Sequence, residues 1–169
     1  MSKFAVAFED VSAVFLQLDQ PTRAVTSYLI DSVTCPDEND AAVQAAIANL
    51  PAARKTTLKS HAAHARYDKE VAGLSTDVGG ATVTLASTIA SQSKVSASAQ
   101  QAQINPNFTA QWKQTDGTFL LLNATQLLKL NENIQNYIET CYNTEKSCCD
   151  QIDAGTMTTT AQIDAAFNF

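Results

Sequence analysis

Large residues recur in steps of three and four at Leu127, Leu130, Ile134, Ile138, Cys141, Glu145, Cys148 and Ile152. That spacing sets them on one face of an α-helix. It predicts a long amphipathic helix near 124–154, roughly seven turns, capped by Asn123 and ended by Gly155. So long an apolar stripe cannot stand in water alone, so the rest of the chain has to supply a layer against it.

The stretch before it, "FTAQWKQTDGTFLLLN" at 108–123, reads as a β-hairpin. Phe108, Ala110 and Trp112 alternate on one strand, "TDG" supplies the turn, and Phe119 and Leu121 alternate on the other. Trp112 and Phe119 are therefore expected on the helix stripe as core. A tryptophan in such a hairpin could alternatively be a stacking platform for carbohydrate, but core is the commoner use. A second hairpin is predicted in "GLSTDVGGATVTLAS", where paired glycines precede the β-branched run Thr82, Val83 and Thr84.

Helical segments surround these hairpins. "TCPDEND" breaks the preceding pattern, and "AAVQAAIANL" predicts a helix from about 37 to 49. Pro51 suits the first turn of a second helix running to Gly73, whose stripe of Leu58, Ala62, Ala65 and Val71 is thin. Ser87 or Thr88 caps a polar, Ala-rich helix that ends before Pro106. "TMTTTAQIDAAFNF" predicts a Thr-capped last helix with Ile163, Ala166 and Phe167 inward. At the start, "KFAVAF", "AVFLQLD" and "RAVTSYLID" carry the period-2 and β-branched character of strands, with "QPT" as a turn, and predict a small β meander over residues 3–31.

The fold class that follows is α+β: a small N-terminal β region, two short β-hairpins, and four to five helices with the 124–154 helix as spine. Its organisation is read as a β/helix region at 1–49 and an α+β domain at 50–169.

Charge narrows the function classes. The net charge is −6, which argues against a nucleic-acid binder because phosphate contacts need clustered Lys and Arg. A basic band at Arg54, Lys55, Lys59, Arg66 and Lys69 lies between acidic flanks and is read as a solvated helix face, with acid-to-base contact between neighbouring copies as the alternative. No run approaches the ~18 apolar residues of a membrane span. The N-terminal residues lack the pattern of a signal peptide, so synthesis in the cytosol is expected.

Cys35, Cys141, Cys148 and Cys149 are expected as free thiols, without paired CxxC spacing. A zinc site from Cys141, Cys148 or Cys149 with His61 and His64, or a thiol nucleophile at Cys141 with a histidine base, can be written down. Cys141 on the apolar stripe is better read as core, and His61 and His64 as exposed helix residues. "DVGGATV" lacks the spacings that cradle phosphate and is read as a turn. No catalytic, cofactor-binding or metal-ligating residue is assigned, and no cofactor is expected.

Several segments together resemble a domain found in proteins encoded beside tail-fibre genes of tailed bacteriophages and prophages. They are "ARYDKEVAG" (65–73), with its Arg, aromatic, Glu and Gly; "GGATVTLAS" (79–87); "SQSKVSASAQ" (91–100); "FTAQWKQTDGTFLLLNATQLLKL" (108–130); and "CYNTEKSCCDQIDAG" (141–155). The resemblance runs from about Leu50 to Phe169. Where that family carries Thr-Asp-Arg before "SQ", this chain has Ser87, Thr88 and Ile89. The resemblance implies a non-enzymatic structural component of a phage tail, at fibre or baseplate, located in the virion. Its expected partners are tail fibre or baseplate proteins and further copies of itself, with residues 1–49 as a variable attachment element. A fibre assembly chaperone that leaves before the virion is complete is the alternative, and a small tail hydrolase a distant third.

Overall fold

The computed structural model describes residues 2–9, 12–17, 29–35 and 41–169, with side chains described at 48 and over 51–169. The element order is β1 (Ser2–Glu9), β2 (Ser12–Gln17), β3 (Leu29–Cys35), α1 (Ala41–Val71), β4 (Leu74–Asp77), β5 (Thr82–Leu85), α2 (Ile89–Ile104), β6 (Thr109–Lys113), β7 (Phe119–Asn123), α3 (Ala124–Ala154) and α4 (Thr160–Ala166). The fold is α+β, with two short antiparallel hairpins and a long helix where the stripe requires one. No helix among the described residues is long and apolar enough to cross a membrane.

Two compact units are formed, residues 1–62 with 148–168, and residues 63–147 with 169. In the first, β1, β2 and β3 make an antiparallel sheet in the order β2-β1-β3. A meander would have placed β2 in the middle. The third strand instead lies at Leu29–Cys35 and pairs with β1, because the connection at 18–28 is too long for a tight hairpin and allows the chain to reach the far side of β1. The turn at "QPT", most of "RAVTSYLID" and the expected helix start at 37–40 lie outside the described residues.

A second correction concerns Pro51, which sits inside one continuous helix of 31 residues instead of opening a new one. A proline removes one i→i−4 hydrogen bond and crowds the carbonyl of residue 47, but the strong helix formers on both sides carry the helix through. Farther on in this unit, α4 is held by a reciprocal cap. The Thr159 hydroxyl accepts from the Gln162 N–H at 3.3 Å, and Gln162 Oε1 accepts from the Thr159 N–H at 3.1 Å. The buried apolar residues here are Leu58, Ala62, Cys148, Ile152, Met157, Ile163 and Phe167.

The second unit holds the main core. Val78, Val83 and Leu85 from the first hairpin, Val95 and Ala102 from α2, Leu122 from β7, and Ala124, Leu127, Leu130 and Ile134 of α3 form one buried cluster. Phe108, Ala110, Trp112, Leu120 and Ile138 pack against it. Asn123 caps α3 as its sequence implies: its Oδ1 accepts from the Gln126 N–H and its N–H donates to Gln126 Oε1, both at 3.0 Å. Thr88 caps α2 by accepting from Ser91 N–H at 3.3 Å. Gly73 ends α1 at φ 117°, where a Cβ would stand 3.2 Å from the Leu85 carbonyl oxygen.

The β6–β7 hairpin differs from expectation by one residue of register. Trp112 pairs with Leu120 and Ala110 with Leu122, and these four point to the core, whereas Phe119 and Leu121 are 64% and 58% exposed. The loop sets this. Gly117 N–H donates to Gln114 O and Gln114 N–H to Thr118 O, a three-residue loop with Gly117 at φ 88°, so the strands pair outward from 114 and 118. A one-residue difference in pairing exchanges the two faces of a strand.

Candidate functional site at Arg66 and Glu70

Arg66 and Glu70 lie one turn apart on α1, a spacing that brings their side chains together. Arg66 Nη1 donates to Glu70 Oε2 at 2.5 Å, and Arg66 Nε donates to Glu145 Oε2 of α3 at 3.0 Å. The guanidinium carbon also lies 4.6 Å from the centre of the Tyr142 ring. One cation thus faces two carboxylates and an aromatic ring. Burial by itself would lower the Arg66 pKa; the hydrogen bonds to Glu145 and then Glu70 outweigh it and leave the group raised.

Glu70 is only 7% exposed, and its remaining polar atoms are also occupied. Gln92 Nε2 donates to Glu70 Oε1 at 3.2 Å and to the Ser87 carbonyl at 2.8 Å. The fully buried Ser87 hydroxyl donates to the Glu70 carbonyl and accepts from Gly73 N–H at 3.0 Å. Alongside, the Tyr137 hydroxyl donates to the Lys69 carbonyl at 2.5 Å, and Lys69 Nζ donates to the Phe169 carbonyl while lying 4.5 Å from its ring. Four of the sequence segments singled out above, 65–73, 79–87, 91–100 and 141–155, therefore meet in one polar network. Thr88 is the α2 cap, and Ile89 is 64% exposed.

A saturated network of this kind fixes helices; it does not activate a nucleophile. Both carboxylates are held by Arg66, and the nearby Cys141 thiol is fully buried with its pKa pushed up by desolvation first, then by the charge of Glu70. A thiol so placed stays protonated and unreactive. Cys141, Cys148 and Cys149 form no disulfide; Cys141 and Cys148 are buried and Cys149 is partly exposed. Among the described residues no group of three His, Cys, Asp or Glu is arranged to hold a metal ion, so the combination of these cysteines with His61 and His64 is not assembled.

The basic band is solvent-accessible, as its sequence suggests, and is also engaged within the chain. Arg54 Nη2 donates to the Thr158 carbonyl at 2.6 Å, Lys55 Nζ to the Asp153 carbonyl at 2.8 Å, and Lys59 Nζ to Asp153 Oδ2 at 2.8 Å. With Arg66 and Lys69 in the network above, all five cations have partners in their own chain. Carbonyls at the end of α3 attract cations because they lack helical partners and carry the negative end of the dipole. His61 likewise is drawn to α4, its Nε2 lying 2.6 Å from Asp164 Oδ1, while His64 is exposed.

Glu145 is the residue that sequence reasoning underused. A carboxylate on an inward stripe needs a cation opposite it, and the i,i+4 pair of Arg66 and Glu70 was the signal for where that cation lay. The family described as Domain of unknown function (DUF4376) matches residues 53–167. No curated protein and no solved structure matches the chain.

Proposed function

The chain belongs to the DUF4376 family, a domain of unknown function, and we propose that it is a non-enzymatic structural component of a phage tail, an adaptor at fibre or baseplate that acts through protein–protein contacts. The observation that carries the contact reading is the outer face of β6–β7. Phe119 and Leu121 stand there 64% and 58% exposed, while Arg66, Glu70 and Glu145 are engaged with one another within the chain. Large apolar side chains side by side on a strand mark a surface that a partner covers. The tail assignment itself rests on the resemblance of the segments at 65–73, 79–87, 91–100, 108–130 and 141–155. The partners are tail fibre or baseplate proteins and further copies of the chain.

Mass spectrometry of purified virions tests the reading. A structural component is present in washed particles in fixed ratio to the fibre protein. Its presence in lysates, bound to fibre protein but lost from finished particles, is the outcome of an assembly chaperone. Turnover of host polysaccharide by the purified chain contradicts both.

A further inference from the structure

The ladder of β6 and β7 fixes which backbone groups of β7 face outward. Gln114 N–H bonds to Thr118 O at 2.8 Å, so 114 and 118 are a hydrogen-bonded pair, and in an antiparallel ladder such pairs alternate. Trp112 with Leu120 and Ala110 with Leu122 are then bonded pairs, while Phe119, Leu121 and Asn123 direct N–H and C=O away from β6. Asn123 confirms the parity, because its N–H is taken by Gln126 Oε1 in the α3 cap. So does Thr115 on the other side, whose outward N–H bonds to Thr84 O of β5 at 3.2 Å. No described residue pairs with the outward groups of Phe119 and Leu121.

These two residues also carry the exposed apolar side chains. The edge of β6 carries Thr109, Gln111 and Lys113, the polar and charged residues that discourage strand pairing, whereas β7, "FLLLN", has no charge, proline or bulge. The open length is short, bounded by Gly117, whose N–H is bonded to Gln114, and by the Asn123 cap.

From this we infer that β7 is a self-association edge, on which a second copy of this chain adds its own β7 antiparallel with Phe119 opposite Leu121 of the other copy. That register engages the outward N–H and C=O of both residues in each copy and leaves the Asn123 cap intact. It also lays Phe119 of each copy against Leu121 of the other on the same face. Charge permits the approach: on a chain of net charge −6, this face bears Lys113 and no carboxylate, so no acid meets an acid across it. Two side chains per copy are well short of the roughly 800 Å² per partner of a stable interface, so the pairing is weak and concentration-dependent. This inference goes beyond the tail reading and does not need it.

Sedimentation velocity of the purified full chain, from about 10 µM to about 1 mM, the range of a weak complex, should show the average mass rising toward that of a dimer. Leu121→Pro should hold it at the monomer, because proline removes an N–H that β6 does not use. Leu121→Lys, which places a charge on the same face and keeps the backbone donor, should do likewise, with far-UV circular dichroism unchanged in both. A wild-type chain that stays monomeric over the whole range overturns the inference, and so does either variant, folded, associating as wild type does.

Discussion

Arg66 on α1 reaches Glu145 on α3 at 3.0 Å while holding Glu70, one turn along its own helix, at 2.5 Å. Side-chain exposure is 17% for the arginine and 9% for Glu70. Removing the cation therefore leaves a buried carboxylate without its charge partner. Arg66→Ala should cost about 3–5 kcal/mol in urea titrations. Arg66→Lys should recover only part of this, since a single ammonium cannot reproduce the directed donors of the guanidinium. A loss below about 1 kcal/mol for the alanine variant would show that the network contributes little to holding the helices.

The hairpin register gives a sharp contrast among neighbours. Trp112 packs on the core and Phe119 does not, so Trp112→Ala should cost about 3 kcal/mol. Phe119→Ala and Lys113→Ala should each stay within about 0.5 kcal/mol. Equal losses at Trp112 and Phe119 would mean that the strands are paired one residue differently.

That contrast also marks where the sequence stopped being informative. The period of α3, its Asn123 cap, the Thr88 cap and the glycine at 73 are all written locally, and each lies where local chemistry places it. The β6–β7 facing is not local, because "FLLLN" offers apolar residues to both sides and only the hydrogen bonds of Gln114 and Gly117 decide between them. Pro51 misled for the opposite reason: a strong local breaker lies within a helix long enough to absorb one missing bond. The Arg66 network was half legible, since the i,i+4 pair is visible in "ARYDKEVAG" while its third member, Glu145, comes from a helix far along the chain.

Gly73 offers a backbone test. Its φ of 117° and the 3.2 Å approach of the Leu85 carbonyl oxygen leave no room for a side chain. Gly73→Ala should destabilise by about 1–3 kcal/mol, read as a shift of the urea midpoint at constant slope. An unchanged midpoint would contradict this backbone path after α1.

Acid stability should depend on Asp153. The hydrogen bond from Lys59 holds its carboxyl below the usual aspartate range and raises the lysine in return. A depressed folded pKa stabilises above the unfolded value and loses that contribution as the pH falls through the folded one. The raised lysine contributes below its own unfolded value, so the pair is intact at neutral pH. Asp153→Asn should therefore flatten the acid limb of the stability curve. Superimposable limbs for variant and wild type would show the pair to be without thermodynamic weight.

Thiol labelling of the native protein should separate the cysteines of α3. Cys149 should react well ahead of Cys141 and Cys148, which are buried. Rapid modification of Cys141 would contradict its raised pKa and its place in the core.

In the proposed function the chain acts through the outer face of β6–β7, and the polar network serves to hold the helices. The most direct test is incorporation of the double variant Phe119→Ser, Leu121→Ser into phage particles, measured as its ratio to fibre protein in purified virions. The prediction is loss of incorporation with a thermal midpoint within a few degrees of wild type. Normal incorporation of a stable variant would contradict the claim.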